Sequence, residues 1–130
     1  MPDPPLVSIV DDDESVRESL PDLLRTYGLA ARAFSSAGEF LSSEFIHQTD
    51  CLVLDVAMPG MSGPALQQEL SRRGKAIPIV FLTALADESL HPQLLAVGAV
   101  DCLLKPVSET VLLGAISAAL RTRRSGDTKV

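Results

Sequence analysis

The chain has 130 residues, which suits one domain around one core and leaves no room for a second of similar size. It is 46% hydrophobic but only 4% aromatic, so a disordered body is excluded and the core has to be aliphatic. A net charge of −6 argues against a broad basic face for nucleic acid, and no apolar run reaches the ~18–20 residues of a bilayer span.

The opening, Met1-Pro2-Asp3-Pro4-Pro5, is proline-rich and loose, with neither the basic region nor the long apolar core of a signal peptide. Leu6-Val7-Ser8-Ile9-Val10 reads as a first strand and ends in four acids, Asp11, Asp12, Asp13 and Glu14. Ser15 to Tyr27 has helical spacing, with Val16, Leu20, Leu23, Leu24 and Tyr27 on one face and Gly28 as a stop. Pro21 lies inside it, and a kink or partial restart is expected there. Leu29 to Phe34 is a second strand. Ser35 or Ser36 caps a helix expected to run to about Phe45.

Cys51-Leu52-Val53-Leu54 is a fully apolar third strand that ends in a single carboxylate, Asp55, followed by the turn-forming loop Met58-Pro59-Gly60-Met61-Ser62-Gly63. A third helix opens at Gly63 or Pro64, with Leu66 and Leu70 inward, and ends near Gly74. Ile77 to Leu82 is the fourth strand and Thr83 closes it. Asp87-Glu88-Ser89 resembles a helix start, yet Pro92 favours a first-turn position, which moves the ordered start to near His91. Ala99 to Leu104 is the fifth strand, followed by Lys105-Pro106, and Ser108 caps a last helix through Leu112, Ile116 and Leu120. Residues 122–130, with Arg123 and Arg124, read as a basic tail, frayed or leading into a linker.

Strand and helix alternate five times, which implies a parallel sheet with helices on both faces and right-handed crossovers. In such a sheet the carboxyl ends of the strands share one edge, where ligands bind. Asp11 to Asp13, Asp55, Thr83 and Lys105 all fall on that edge. Carboxylates gathered together repel and need a cation, and an oxygen-only donor set suits Mg²⁺. Beside such an ion a carboxylate can attack a phosphoryl group, while a lysine and a hydroxyl grip its oxygens. Lys105 is the only Lys or Arg between Ala76 and Leu120. Asp13 and Glu14 fit a helix start instead. Cys51 and Cys102 lack metal or redox spacing and read as reduced core residues of a cytoplasmic protein, and His47 and His91 read as isolated surface residues.

The motifs Ile9-Val10-Asp11-Asp12-Asp13, Leu52-Val53-Leu54-Asp55 with Met58 to Gly63, Phe81-Leu82-Thr83-Ala84, and Gly98-Ala99-Val100-Asp101 with Leu104-Lys105-Pro106 together resemble the response-regulator receiver (CheY-like) domain of two-component signalling. The resemblance covers residues 6 to 121. It implies a flavodoxin-like (βα)5 fold with strand order 2-1-3-4-5. It implies Asp55 as phosphoacceptor for a sensor histidine kinase. It also implies Mg²⁺ on Asp11, Asp12, Asp55 and the Ala57 carbonyl, with Asp12 favoured over Asp11 as the direct ligand of the acidic pair. Thr83 would be the switch hydroxyl, Lys105 the phosphoryl clamp, and Lys105–Pro106 a cis peptide. The Asp55 to Pro59 loop and the opening Asp11 to Arg17 look most like the FixJ branch, whose members usually carry a DNA-binding domain after the receiver. DNA contact would therefore come only through an output domain beyond this chain, with self-association on phosphorylation a further partner mode.

Three places depart from the branch. The strand-five switch position, usually aromatic, is Cys102; Val107 follows Pro106 where Phe is common; and Leu85 to Val97 lacks the usual Gly-Asp-Ile-Pro pattern. All lie on the side that signals output. They leave open an alternative, a receiver that binds partners independently of phosphorylation. An aspartyl-phosphate hydrolase of the haloacid-dehalogenase type would want an acid at position 57, where Ala57 stands. The resemblance therefore implies a signalling switch that catalyses only its own phosphoryl transfer and loss, not an enzyme with a turned-over substrate.

Overall fold

The computed structural model describes residues 3–84 and 89–128, with side chains described through residue 122. The expected early helix start at Asp87-Glu88, the residues Met1-Pro2 and the side chains of Arg123 and Arg124 lie outside these.

Five short strands, β1 (Leu6–Val10), β2 (Ala30–Phe34), β3 (Cys51–Asp55), β4 (Ile79–Thr83) and β5 (Asp101–Leu104), form one sheet in the order β2-β1-β3-β4-β5. Every pairing is parallel. The helices α1 (Glu14–Thr26), α2 (Ala37–Leu41), α3 (Gly63–Arg72), α4 (His91–Ala96) and α5 (Glu109–Thr128) alternate with them. This is the doubly wound flavodoxin-like arrangement.

Side-chain alternation along the strands divides the core in two. Val10, Leu52, Leu54, Ile79, Phe81 and Cys102 face one way and pack with Phe40, Leu66, Leu70 and Leu94. Val7, Ile9, Val53, Val80, Leu82 and Leu103 face the other way and pack with Leu24, Leu112 and Ile116. β1, β3 and β4 are buried along their whole length, which is why each reads as a near-continuous apolar run; the one polar interruption, Ser8 in β1, is bonded to Thr49, and Asp55 and Thr83 stand at the carboxyl ends.

Several boundaries differ from expectation for identifiable reasons. α1 is continuous through Pro21; the ring is buried, and packing offsets part of the lost backbone bond. Tyr27 was expected inward but is 54% exposed. It is the residue that closes α1, and its hydroxyl donates to Glu109 Oε1 at 2.6 Å. The second helix stops at Leu41, short of Phe45, and a separate 3-10 turn covers Glu44–His47. The cause is local: both the amide and the hydroxyl of Ser43 bond the Phe40 carbonyl, which competes with helix continuation. β4 begins two residues late, at Ile79, because Pro78 has no N–H for the ladder. α5 continues through Thr128, past the point where a frayed tail was expected.

Ser62 caps α3, and Gly60 (φ +80°) makes the turn before it. Gly63 is constrained more tightly: a Cβ there would collide with the backbone oxygen of Asp55 and crowd the Phe81 ring. The loop after β3 is thus folded hard against the strand end it leaves. Gly63→Ala is expected to destabilise by about 1–3 kcal/mol, the usual cost of forced overpacking. Gly114→Ala, at an open position in α5, is expected to stabilise by up to about 1 kcal/mol. Denaturant midpoints for the two variants check both signs.

Candidate phosphoryl and metal site

Register places the acids. Val10 pairs with Leu54, so the residues that follow, Asp11 and Asp55, emerge side by side at the carboxyl ends of the two strands between which the sheet order reverses. Both are buried, while Asp12 is exposed. Asp11, Asp12 and Asp55 can each offer a carboxylate oxygen within 4.8 Å of the others. Asp13 turns away from the cluster and caps α1, accepting hydrogen bonds from the backbone and side chain of Ser15. These bonds hold its carboxyl below the ordinary range. Within the four-acid run, Asp13 caps the helix while Asp11 and Asp12 bring carboxylate oxygens close to Asp55.

Lys105 reaches in from the end of β5. Its Nζ lies 3.0 Å from Asp11 Oδ2 and 3.4 Å from Asp55 Oδ1. Burial works to lower its pKa, but the Asp11 and Asp55 carboxylates beside it outweigh burial, so the net shift is upward and the ammonium is kept charged. The Lys105 amide donates to the Thr83 carbonyl at 2.7 Å, and the Lys105–Pro106 peptide is cis. Ala57 sits two residues past Asp55 in the exposed loop.

One ammonium does not balance this cluster. Asp55 is pushed up to about 7, first by burial and then by the Asp11 charge, with Lys105 opposing. Asp11 Oδ1 accepts from the Asp13 amide, but Asp11 Oδ2 is buried without a well-directed hydrogen bond. Lys105 lies within ion-pair distance of that oxygen but off the line of a hydrogen bond. A buried anionic oxygen so placed is costly, and a hard cation would satisfy it.

Thr83 is fully buried at the end of β4, as expected, but its hydroxyl is not turned to the acids. Its Oγ1 lies 2.7 Å from His91 Nε2 and 3.4 Å from the Leu103 carbonyl. His91 was expected to be an isolated surface residue. Instead it is half-buried and touches the switch hydroxyl. Cys102 lies beside Thr83; burial pushes its thiol up, and a hydrogen bond with Thr83 partly opposes this. His47 is exposed, 2.6 Å from Lys75 Nζ.

Residues 7–117 match the family described as the response regulator receiver domain. The chain belongs to that family. Response regulator protein TodT of Pseudomonas putida is 43% identical over 116 residues, which cover 89% of this chain and 51% of TodT. Transcriptional regulatory protein FixJ of Azorhizobium caulinodans is 38% identical over 120 residues, 92% of this chain and 57% of FixJ. The crystal structure of FixJ-N superimposes with a TM-score of 0.82 at 36% identity, covering 93% of this chain and 96% of that one. The chain thus spans about half the length of these two relatives. Among the described residues no helix is long and apolar enough to cross a membrane.

The raised pKa of Asp55 gives a signed prediction for the metal-free receiver. The folded state binds this proton more tightly than the unfolded chain, so the contribution is whole below the ordinary value of 3.8 and is lost as pH rises through about 7. Without divalent ions, the wild-type melting temperature is expected to fall more between pH 5.5 and 8 than that of Asp55→Asn. At pH 8 Asp55→Asn should be the more stable by about 1 kcal/mol, roughly 3–6 °C for a domain of this size. A lower melting temperature for Asp55→Asn at pH 8 would show that the Lys105 pairing outweighs the repulsion.

Proposed function

We propose that this receiver accepts a phosphoryl group on Asp55 from a sensor histidine kinase, with Mg²⁺ held at the acidic cluster, and that the added charge switches a protein-interaction surface. The observation that carries the reading is the convergence of the Asp11, Asp12 and Asp55 carboxylates, with Lys105 as their only close cation among the described residues. Asp11, Asp12, Asp55 and the carbonyl of Ala57 would hold the ion; Asp12, exposed at the rim, is suited to bind it directly. When bound, the ion supplies positive charge against the attacking and transferred oxygens.

The chain's own residues do the rest. An Asp55 oxygen attacks phosphorus in line as the bond to the donor histidine nitrogen breaks and the imidazole leaves. Lys105 neutralises the charge on the phosphoryl oxygens, and Thr83 offers its hydroxyl to one of them once it turns. Burial keeps the Asp55 carboxylate poorly solvated and therefore reactive once cation charge has removed its proton. The covalent product carries about −1.5 to −2 charges where the free carboxylate carried −1, and it projects them further from the strand end, enough to reorganise nearby groups. Output would be transcriptional, through a part of the protein beyond these residues, in keeping with the similarity to the transcriptional regulatory protein FixJ. A cytoplasmic setting goes with a kinase-fed receiver and two reduced, buried cysteines.

A second reading is a receiver that binds its partner whatever the state of Asp55. It is favoured by one observation, that Thr83 is already engaged away from the acids.

Intact mass after incubation with acetyl phosphate and Mg²⁺ separates the two. One added phosphoryl group is expected on the wild type, none after chelation, and none on Asp55→Asn. Lys105→Ala should label about 10²-fold more slowly, as when one preorganised charge stabiliser is removed. Persistent labelling of Asp55→Asn would overturn the assignment. A size profile of the labelled protein reports self-association.

A further inference from the structure

A hydroxyl has one proton to give. Thr83 Oγ1 has His91 Nε2 at 2.7 Å and the Leu103 carbonyl at 3.4 Å, and the Cys102 thiol also bonds it. The imidazole tautomer sets the direction of the nearest contact: Thr83 donates to a bare Nε2, or an Nε2–H donates to Oγ1 while the hydroxyl proton goes to Leu103. In either case the shortest contact of the hydroxyl is to His91, and bonding a phosphoryl oxygen on Asp55 requires that contact to change.

We propose that His91 is a positioning residue for Thr83: it holds the switch hydroxyl away from Asp55 in the resting domain, and its bond is broken or inverted when Asp55 is phosphorylated. This rests on the reading of Asp55 as the phosphoacceptor. His91 thereby supplies, from α4, the ring that is missing at Cys102. Cys102 offers Thr83 a thiol rather than a ring, and the imidazole approaches the same hydroxyl from another element.

The consequence falls on α4. The helix has six residues, its N-cap Leu90 makes no side-chain capping bond, and Leu94 is its one residue in the core. So short a helix has little internal stability of its own. Its first residue is the one bonded to Thr83. Losing or inverting that bond changes how the start of α4 is held, and α4 carries the exposed Leu95, with Val97 just after it. Thr83 state is thus converted into the position of an apolar surface.

The test uses the full chain, labelled with ¹⁵N in its two histidines. Imidazole nitrogen spectra are recorded without and with beryllium fluoride and Mg²⁺ as a phosphoryl mimic, beside mass labelling with acetyl phosphate. The resting spectrum reads which tautomer His91 holds; the His91 Nε2 signal is expected to move with the mimic, while His47 stays unchanged. His91→Phe keeps a ring but no acceptor. It should raise the phosphorylated fraction by about two- to tenfold, the worth of one hydrogen bond. Normal mass labelling with an unmoved His91 signal, or a His91→Phe fraction at or below wild type, would overturn the inference and leave the proposed function standing. Absent labelling of wild type would overturn the phosphoacceptor reading and this inference with it.

Discussion

The structure turns on a charge conflict at the end of the sheet. Asp11 and Asp55 are buried next to each other because two adjacent parallel strands end in register. The Asp55 position would not be chosen for stability: burial and the neighbouring Asp11 charge both push against its ionisation. Lys105 contributes one positive charge, held in place by its own amide bond to Thr83. The remaining deficit is the feature on which the proposed cation and phosphoryl chemistry rests. The surrounding detail serves to hold these ends still, from the Ser62 cap and the glycine at 63 to the complete burial of β1, β3 and β4.

Much of this was legible in the sequence, because the strongest signals were local. Val10-Asp11 and Leu54-Asp55 announce their own geometry: an apolar run that stops at a carboxylate is a buried strand reaching an edge. Alternation of strand and helix then sets the topology, and topology sets which ends meet. Elements decided by competition between nearby groups were less legible. The break after Leu41 depends on where the Ser43 hydroxyl bonds, and the continuity of α1 depends on packing around Pro21, which no periodicity reports. Tyr27 sat on the correct helical face but one residue beyond the helix, where a phenol can turn to Glu109.

His91 shows a different limit. Its significance comes from a contact of 2.7 Å made across a helix start. Composition sees only one of two scattered histidines, and helical periodicity is weak in a six-residue helix. Cys102 was noticed for what it lacks. The structure adds what stands nearby, and the two observations become informative only together: a thiol in the place of a ring, and a ring arriving from elsewhere at the same hydroxyl.

The two apolar clusters on opposite faces of the sheet carry a further meaning. α1 and α5 lean on the cluster built around Leu24, Leu112 and Ile116, while α4 leans on the other, through Leu94. The sheet is a bulkhead between them. Packing behind α1 and α5 can stay fixed while residues around α4 are exchanged, so the two compartments are free to diverge at different rates. A domain so divided can keep its acid ends aligned while substitutions such as the one at Cys102 are absorbed within a single compartment.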